Sequence, residues 1–187
     1  MDTPTREDLP ALIEEIELAF RDVSRENGVS LSEAWVIDDC GSDEERAKAR
    51  AQDKDEIWRD IPDEDIRHGY SCLSFLDEIG FRYYMPAYMI WTLRNYEDWD
   101  SNTPDSTVFS LTLDDLHQYE VLRELNRQLG RQKLRGYEQM RAWTLKRFSI
   151  FTLEQSTAIA HFLQFIAEYY EDKNARRALS AYWHKFA

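Results

Sequence analysis

Gly80-Phe-Arg-Tyr-Tyr-Met-Pro-Ala-Tyr-Met-Ile-Trp-Thr-Leu93 decides the fold, because it is the centre of a segment, Tyr70 to Trp99, that holds nine of the chain's 25 aromatic residues. Bulky rings at that density build a core or an interaction surface, and no recognisable set of catalytic groups lies among them. Upstream, Ile66, Tyr70, Cys72, Leu73, Phe75, Leu76 and Ile79 cover a broad arc of a helix that Pro62 opens and Gly80 ends. Phe81 to Met85 then reads as a link, with a second apolar helix starting near Pro86 and running to about Tyr96. Two such helices form the middle of a mainly helical protein.

The rest of the chain follows the same period. Leu9, Leu12, Ile13, Ile16, Phe20 and Val23 share one helix face that Gly28 can close. Ser30-Leu-Ser-Glu33 and Ser42-Asp-Glu-Glu45 are capping boxes. The first opens a short helix through Trp35 and Ile37 that ends at Gly41; the second opens a polar surface helix reaching about Trp58. Trp99 to Ser106 is a loop by composition, and Thr107-Val-Phe-Ser-Leu111 reads as a short strand. Thr112-Leu-Asp-Asp115 reads as a cap before Leu116, Tyr119, Leu122, Leu125 and Leu129, a pattern broken at Gly130; Arg123 and Arg127 share a face of that helix. Thr152-Leu-Glu-Gln155 is a further capping box, ahead of Ile159, Phe162, Leu163, Ile166 and Tyr170, and a last helix carries Leu179, Tyr182, Trp183 and Phe186. The expected architecture is a compact helical bundle of about six to eight helices in one domain spanning residues 1–187, with at most one short strand pair.

The 187 residues carry a net charge of −13, unevenly divided. Residues 1–120 hold 30 acidic against 11 basic side chains, and residues 121–187 hold 6 against 12. Within 121–149 there are eight basic residues and two acidic ones, so a basic helical segment sits in an acidic protein. It docks on the chain's own acidic surface, is simply solvated, or forms a strip for a partner. The longest run without a charged residue is 13 residues, Gln155 to Ala167, against the roughly 20 that span a bilayer, so no membrane partner is expected. Only Cys40 and Cys72 occur, and the charged start Met-Asp-Thr-Pro-Thr-Arg-Glu-Asp has no secretory leader, so the expectation is a cytoplasmic protein with reduced thiols.

Ser71-Cys-Leu-Ser-Phe-Leu76, the block Gly80 to Met89, Asp105-Ser-Thr107, and Phe148-Ser149 followed by Gln155, Ala158, Ile159, Phe162 and Leu163 carry a resemblance. Together they resemble a family of small uncharacterised bacterial proteins over roughly residues 10–165. The resemblance implies a bacterial cytosolic protein and brings no activity and no catalytic residues with it. The basic stretch between Leu129 and Lys146 reads as an addition to the pattern.

Chemistry is sparse. The chain has no Gly-rich phosphate loop, no Gly-x-Ser-x-Gly elbow and no His-Glu-x-x-His. Asp53-Lys-Asp55 begins like a calcium loop but has Ile57 and Trp58 where an oxygen ligand and the turn glycine belong. The four histidines lie far apart, and no metal or other cofactor is expected. His68 and Cys72 are four apart, the spacing at which an imidazolium activates a thiol, but Cys72 falls in the apolar arc and reads as packing. Asp60, Asp63, Glu64 and Asp65 offer an acidic cluster, which a helix N-terminus also favours.

The leading expectation is therefore an acidic binding domain that recognises another protein, such as a basic toxin, in the manner of an immunity or antitoxin protein. Its partner-binding candidates are Asp60, Asp63, Glu64 and Asp65 for encounter, Tyr84, Tyr88 and Trp99 as anchors, and Arg123 and Arg127 on the basic strip. The alternatives are a small carboxylate- or metal-dependent enzyme built on Asp60 to Asp65 with a histidine, and nucleic-acid binding through residues 123–147. The charge of residues 1–120 opposes the latter.

Overall fold

The structure is a computed structural model describing residues 3–54, 57–113, 124, 127, 128 and 135–187, with the backbone alone for 135–137. Among these residues there are nine α-helices and no strand. They are α1 (Leu9–Ala19), α2 (Leu31–Asp38), α3 (Asp43–Arg50), α4 (Asp63–His68), α5 (Glu78–Asn95), α6 (Thr103–Ser110), α7 (Arg135–Ser149), α8 (Leu153–Tyr169) and α9 (Lys173–Ala181). Short 3-10 turns occupy Arg6–Asp8, Trp58–Asp60, Gly69–Ser74 and Trp183–Phe186. The mainly helical fold expected from the sequence is the one observed. None of the described helices is long and apolar enough to cross a membrane.

The centre is α5, which is one continuous helix rather than a link followed by a helix at Pro86. It starts at the Asp77 side chain, whose Oδ1 accepts from Gly80 N at 2.8 Å and from Val29 N at 3.0 Å. Gly80 therefore lies in the first turn of α5 and does not end the preceding helix. Its missing side chain lets the chain ahead of α2 lie directly on α5: a Cβ at Gly80 would stand 2.3 Å from Val29 O, and one at Gly28 would stand 2.4 Å from Gly80 N. Pro86 withholds one intrahelical hydrogen bond, but the rings around it are buried on every side and hold the helix through it. Phe81, Tyr83, Tyr84, Met85, Tyr88, Met89 and Leu93 of α5 join Ile16 and Phe20, Leu73 and Leu76, Phe148, Phe162 and Ile166, and Trp183 in one hydrophobic cluster.

The arc from Ile66 to Ile79 is not one helix either. Helix α4 stops at His68, and Gly69–Ser74 tightens into a 3-10 turn before Asp77 restarts the chain. The reason is tertiary: Tyr88 Oη donates to Gly69 O at 2.5 Å, and a Cβ at Gly69 would stand 2.7 Å from that hydroxyl. Helix α1 ends at Ala19, well before Gly28, because its last carbonyls take side-chain donors from elsewhere. Trp58 Nε1 donates to Phe20 O at 2.8 Å, Gln155 Nε2 to Ala19 O at 3.3 Å, and Arg59 to Glu17 O. Helix α3 stops at Arg50, short of Trp58, with the Arg50 guanidinium on Gly28 O (2.6 Å) and Glu33 Oε2 (3.0 Å). Trp58 is instead buried in the core.

The stretch 107–111 is helix, not strand. Thr103 and Pro104 open α6, and its hydroxyls fold back on helical carbonyls: Thr107 Oγ1 on Thr103 O at 2.7 Å, Ser110 Oγ on Thr107 O at 2.8 Å, and Thr112 Oγ1 on Val108 O at 3.0 Å. With helical spacing, Val108 and Leu111 enter the core while Phe109 points out.

Candidate protein-binding face

The acidic first turn of α4 contains Asp63, Glu64 and Asp65, all exposed, and complements the helix dipole. Glu64 is paired with His68 at 2.7 Å, four residues on. Asp60 and Asp65 border a shallow depression with Asp53, Lys54 and Ile57. Among the described residues no three His, Cys, Asp or Glu side chains are grouped to hold a metal ion. Cys72 is buried, its Sγ is 3.7 Å from Leu31 O, and burial pushes its thiol up to about 12, so it remains protonated and unreactive while His68 stays exposed beside Glu64.

Tyr84 and Tyr88 are core, not anchors. Both are 0% exposed, with the Tyr84 hydroxyl accepting from Leu31 N at 3.3 Å and the Tyr88 hydroxyl donating to Gly69 O. Burial, first, raises the Tyr88 phenol well above its ordinary value. Trp99 is 94% exposed. Arg127 forms a two-pronged pair with Glu124 at 2.7 and 2.9 Å, and Arg123 lies outside the described residues, as do Gly130 and the helix expected after Thr112-Leu-Asp-Asp115 up to that residue, save Glu124, Arg127 and Gln128. At the other end of the basic segment, Lys146 bonds Glu78 at 2.6 Å, and Arg147 is buried against the core. The Arg147 guanidinium lies 4.2 Å from the Phe81 ring and 3.7 Å from the Trp143 ring and donates to Leu73 O at 2.9 Å. This end of the segment docks on the chain itself.

A different surface emerges where α4, the Gly69–Ser74 turn and α6 meet. Ser101 Oγ and Thr103 Oγ1 donate to Arg67 O at 3.4 and 2.9 Å, which fixes the loop before α6 to the end of α4. Arg67 pairs with Asp98 at 3.1 Å. The hydrogen bond with Asp98 raises the Arg67 pKa most, with Glu64 and Asp100 contributing, and the same bond lowers that of Asp98. One arginine is thus outnumbered by three carboxylates. Beside them three rings face solvent: Trp99, Phe109 at 72% exposure and Tyr70 at 37%. Tyr70 and Phe109 line a groove of about 430 Å³ with Asn102, Asp105, Ser106 and Arg177.

A larger groove of about 850 Å³ lies between the end of α1 and the first turn of α8, rimmed by the exposed Leu18 and Leu153. Most of its charges pair off, Glu15 with His161 (2.8 Å), Arg21 with Asp22 (3.6 Å) and Arg82 with Glu26 (3.6 Å), while Glu154 stands in the first turn of α8. Among the described residues of the groove, that leaves Glu154 without a second titratable group set beside it as an acid–base reaction needs.

A family profile matches residues 8–187, from just before α1 to the last residue. The chain belongs to DUF6714, a family of unknown function. No curated protein and no solved structure matches it. For this DUF6714 chain the function therefore has to be argued from its own surface. The sequence reading missed Tyr70, Asp105 and Phe109 as neighbours, because it placed Tyr70 on a buried arc and Phe109 in a strand. Read with helical spacing, Asn102, Asp105, Ser106, Phe109 and Thr112 form a single outward stripe, and that was the available signal.

Proposed function

We propose that this DUF6714 chain is a cytoplasmic binding protein that recognises a basic protein partner through the face formed by α4, the loop before α6, and α6. The observation that carries this reading is the groove in which the exposed rings of Tyr70 and Phe109 lie with Asp105, next to the loop that carries the exposed Trp99 with Asp98 and Asp100 and is fixed to the end of α4. Exposed rings anchor interfaces, because each buries a large area at little entropic cost, and a surplus of carboxylates steers a basic partner towards them. An immunity- or antitoxin-type inhibitor of a basic toxin is the case the sign of the charge fits. The two free thiols, Cys40 and Cys72, accord with a reducing compartment.

The test is capture of partners by the purified chain, comparing wild type with a Trp99→Ala, Phe109→Ala double variant. A basic protein retained by wild type, lost by the variant and captured more slowly as salt rises is the expected result. Retention of the same partner by both, indifferent to salt, would refute the assignment of this face.

A further inference from the structure

We infer that the groove between Tyr70 and Phe109 receives an arginine side chain of the partner protein, with its guanidinium set against Asp105. The inference rests on the reading of this face as a protein-binding surface. Asp105 is exposed on the outer stripe of α6, one helical turn before Phe109, and its carboxylate has no hydrogen bond or ion pair among the described residues. Asn102, Ser106 and Asn174 line the same groove and add side-chain oxygens around that carboxylate. Among the described lining residues the one cation is Arg177, which is itself engaged in an interaction within the chain.

The chemistry favours arginine over lysine. A guanidinium is flat, so it can lie on a ring face, and its five N–H donors reach several acceptors at once. A groove lined by a carboxylate and two exposed rings can supply the counter-charge and a stacking surface together. Lysine offers a compact ammonium that is more costly to strip of water and meets fewer of these acceptors. The stacked geometry itself has a counterpart within the chain, where the Arg147 guanidinium lies against both Phe81 and Trp143. As an acid near the start of α6, Asp105 also meets the helix dipole, but a dipole role alone would not respond to a ligand.

The experiment is an amide-resonance titration of the folded full chain with the blocked tripeptide acetyl-Gly-Arg-Gly-amide, its lysine analogue and its uncharged citrulline analogue. Saturable shifts confined to the amides around Tyr70, Asn102, Asp105, Ser106 and Phe109 are expected with the arginine peptide, weaker ones with lysine and none with citrulline. Asp105→Asn should weaken the arginine peptide about tenfold, the effect of losing one charge-assisted hydrogen bond, and Phe109→Ala about threefold. Both side chains are exposed, so the helical circular-dichroism signal should be unchanged. Free L-arginine, which has the same net charge but lacks the flanking peptide groups that a protein segment lays along the groove, should bind more weakly than the blocked peptide. Equal or tighter binding of the free amino acid would overturn the commitment to a protein partner. Shifts spread evenly over the acidic surface, or citrulline matching arginine, would overturn the site. Partner capture that depends on Trp99 and Phe109 in a chain that ignores the arginine peptide would refute this inference and leave the binding reading standing.

Discussion

Gly80→Ala tests the central contact of the fold, and the expected sign is the reverse of the usual one. In an ordinary helix interior the change stabilises by about 0.5–1 kcal/mol, because alanine loses less backbone freedom on folding. Here the new Cβ would stand 2.3 Å from Val29 O and 3.1 Å from Asp77 Oδ1. Relief requires Val29 to retreat by about 1 Å, since ordinary van der Waals contact begins near 3.4 Å. That retreat breaks the bond from Val29 N to the Asp77 carboxylate and pulls on Leu31 N, which holds Tyr84. Overpacking costs about 1–3 kcal/mol and a hydrogen bond to a charged group about 1.5–3, so a net loss of about 2–4 kcal/mol is expected. Urea unfolding followed by tryptophan fluorescence and circular dichroism reads it directly, with the slope in denaturant expected to stay constant. Gly28→Ala presses on the same contact from the other side, 2.4 Å from Gly80 N. The two changes should therefore cost less together than their sum, because one separation serves both. A Gly80→Ala variant as stable as wild type, or more stable, would refute the account of why the chain ahead of α2 lies on α5.

Arg147→Lys should lose about 1–2 kcal/mol in the same assay, since an ammonium cannot lie flat on Phe81 and Trp143 and still reach Leu73 O; equal stability would mean the guanidinium's shape is immaterial. Iodoacetamide at neutral pH should label the exposed Cys40 in the folded chain and leave Cys72 until denaturant is added, with adducts counted by mass spectrometry; early labelling of Cys72 would contradict its burial and raised pKa. Burial raises the folded-state pKa of Tyr88, so its stabilising contribution is complete below the phenol's ordinary 10.0 and declines as pH rises beyond it; Tyr88→Phe should flatten that alkaline decline while costing about 1 kcal/mol at neutral pH for the bond to Gly69 O. Trp99→Ala should change stability by less than about 0.5 kcal/mol, whereas Trp183→Ala, which removes a fully buried ring and the bond to Leu111 O, should cost about 3–5 kcal/mol.

What could be read from the sequence was what depends on near neighbours. The capping boxes at Ser30, Ser42 and Thr152 each start a helix where the pattern places it, because both halves of the box lie within four residues. Gly80 and Pro86 misled because they act here through distant contacts: the glycine meets Val29, and the proline is held by rings buried around the whole helix. A helix apolar on every face has no phase, so its period shows neither where it starts nor which rings lie inside. That is why Tyr84 and Tyr88 were candidates for the surface. Phe109 was illegible for a related reason. Thr107-Val108 opens the stretch with two β-branched residues and so suggests strand, while in the fold Thr107 Oγ1 meets Thr92 Oγ1 across the core at 3.2 Å, a contact between residues fifteen apart that no local pattern shows.

The charge division and the ring distribution answer different questions, and the structure separates them. At its C-terminal end the basic segment is spent internally, with Lys146 on Glu78 and Arg147 sealed under Trp143. What faces outward beside α6 is a surplus of acid: Arg67 and His68 answer Asp98 and Glu64, and Asp100 and Asp105 have no ion pair among the described residues. Acid alone would serve solubility, and it acts over about 8 Å at physiological salt, which sets how fast a basic partner arrives but little of how long it stays. Residence needs dry contact, which rings supply. Because α5 takes Tyr83, Tyr84, Tyr88 and Trp91 into the core, the rings left outside are the informative exceptions. Scattered, they would carry no argument. Tyr70 and Phe109 line one groove with Asp105, and the loop that carries Trp99, Asp98 and Asp100 is tied to the end of α4 through Arg67 O, so ring and carboxylate stand on elements held to one another.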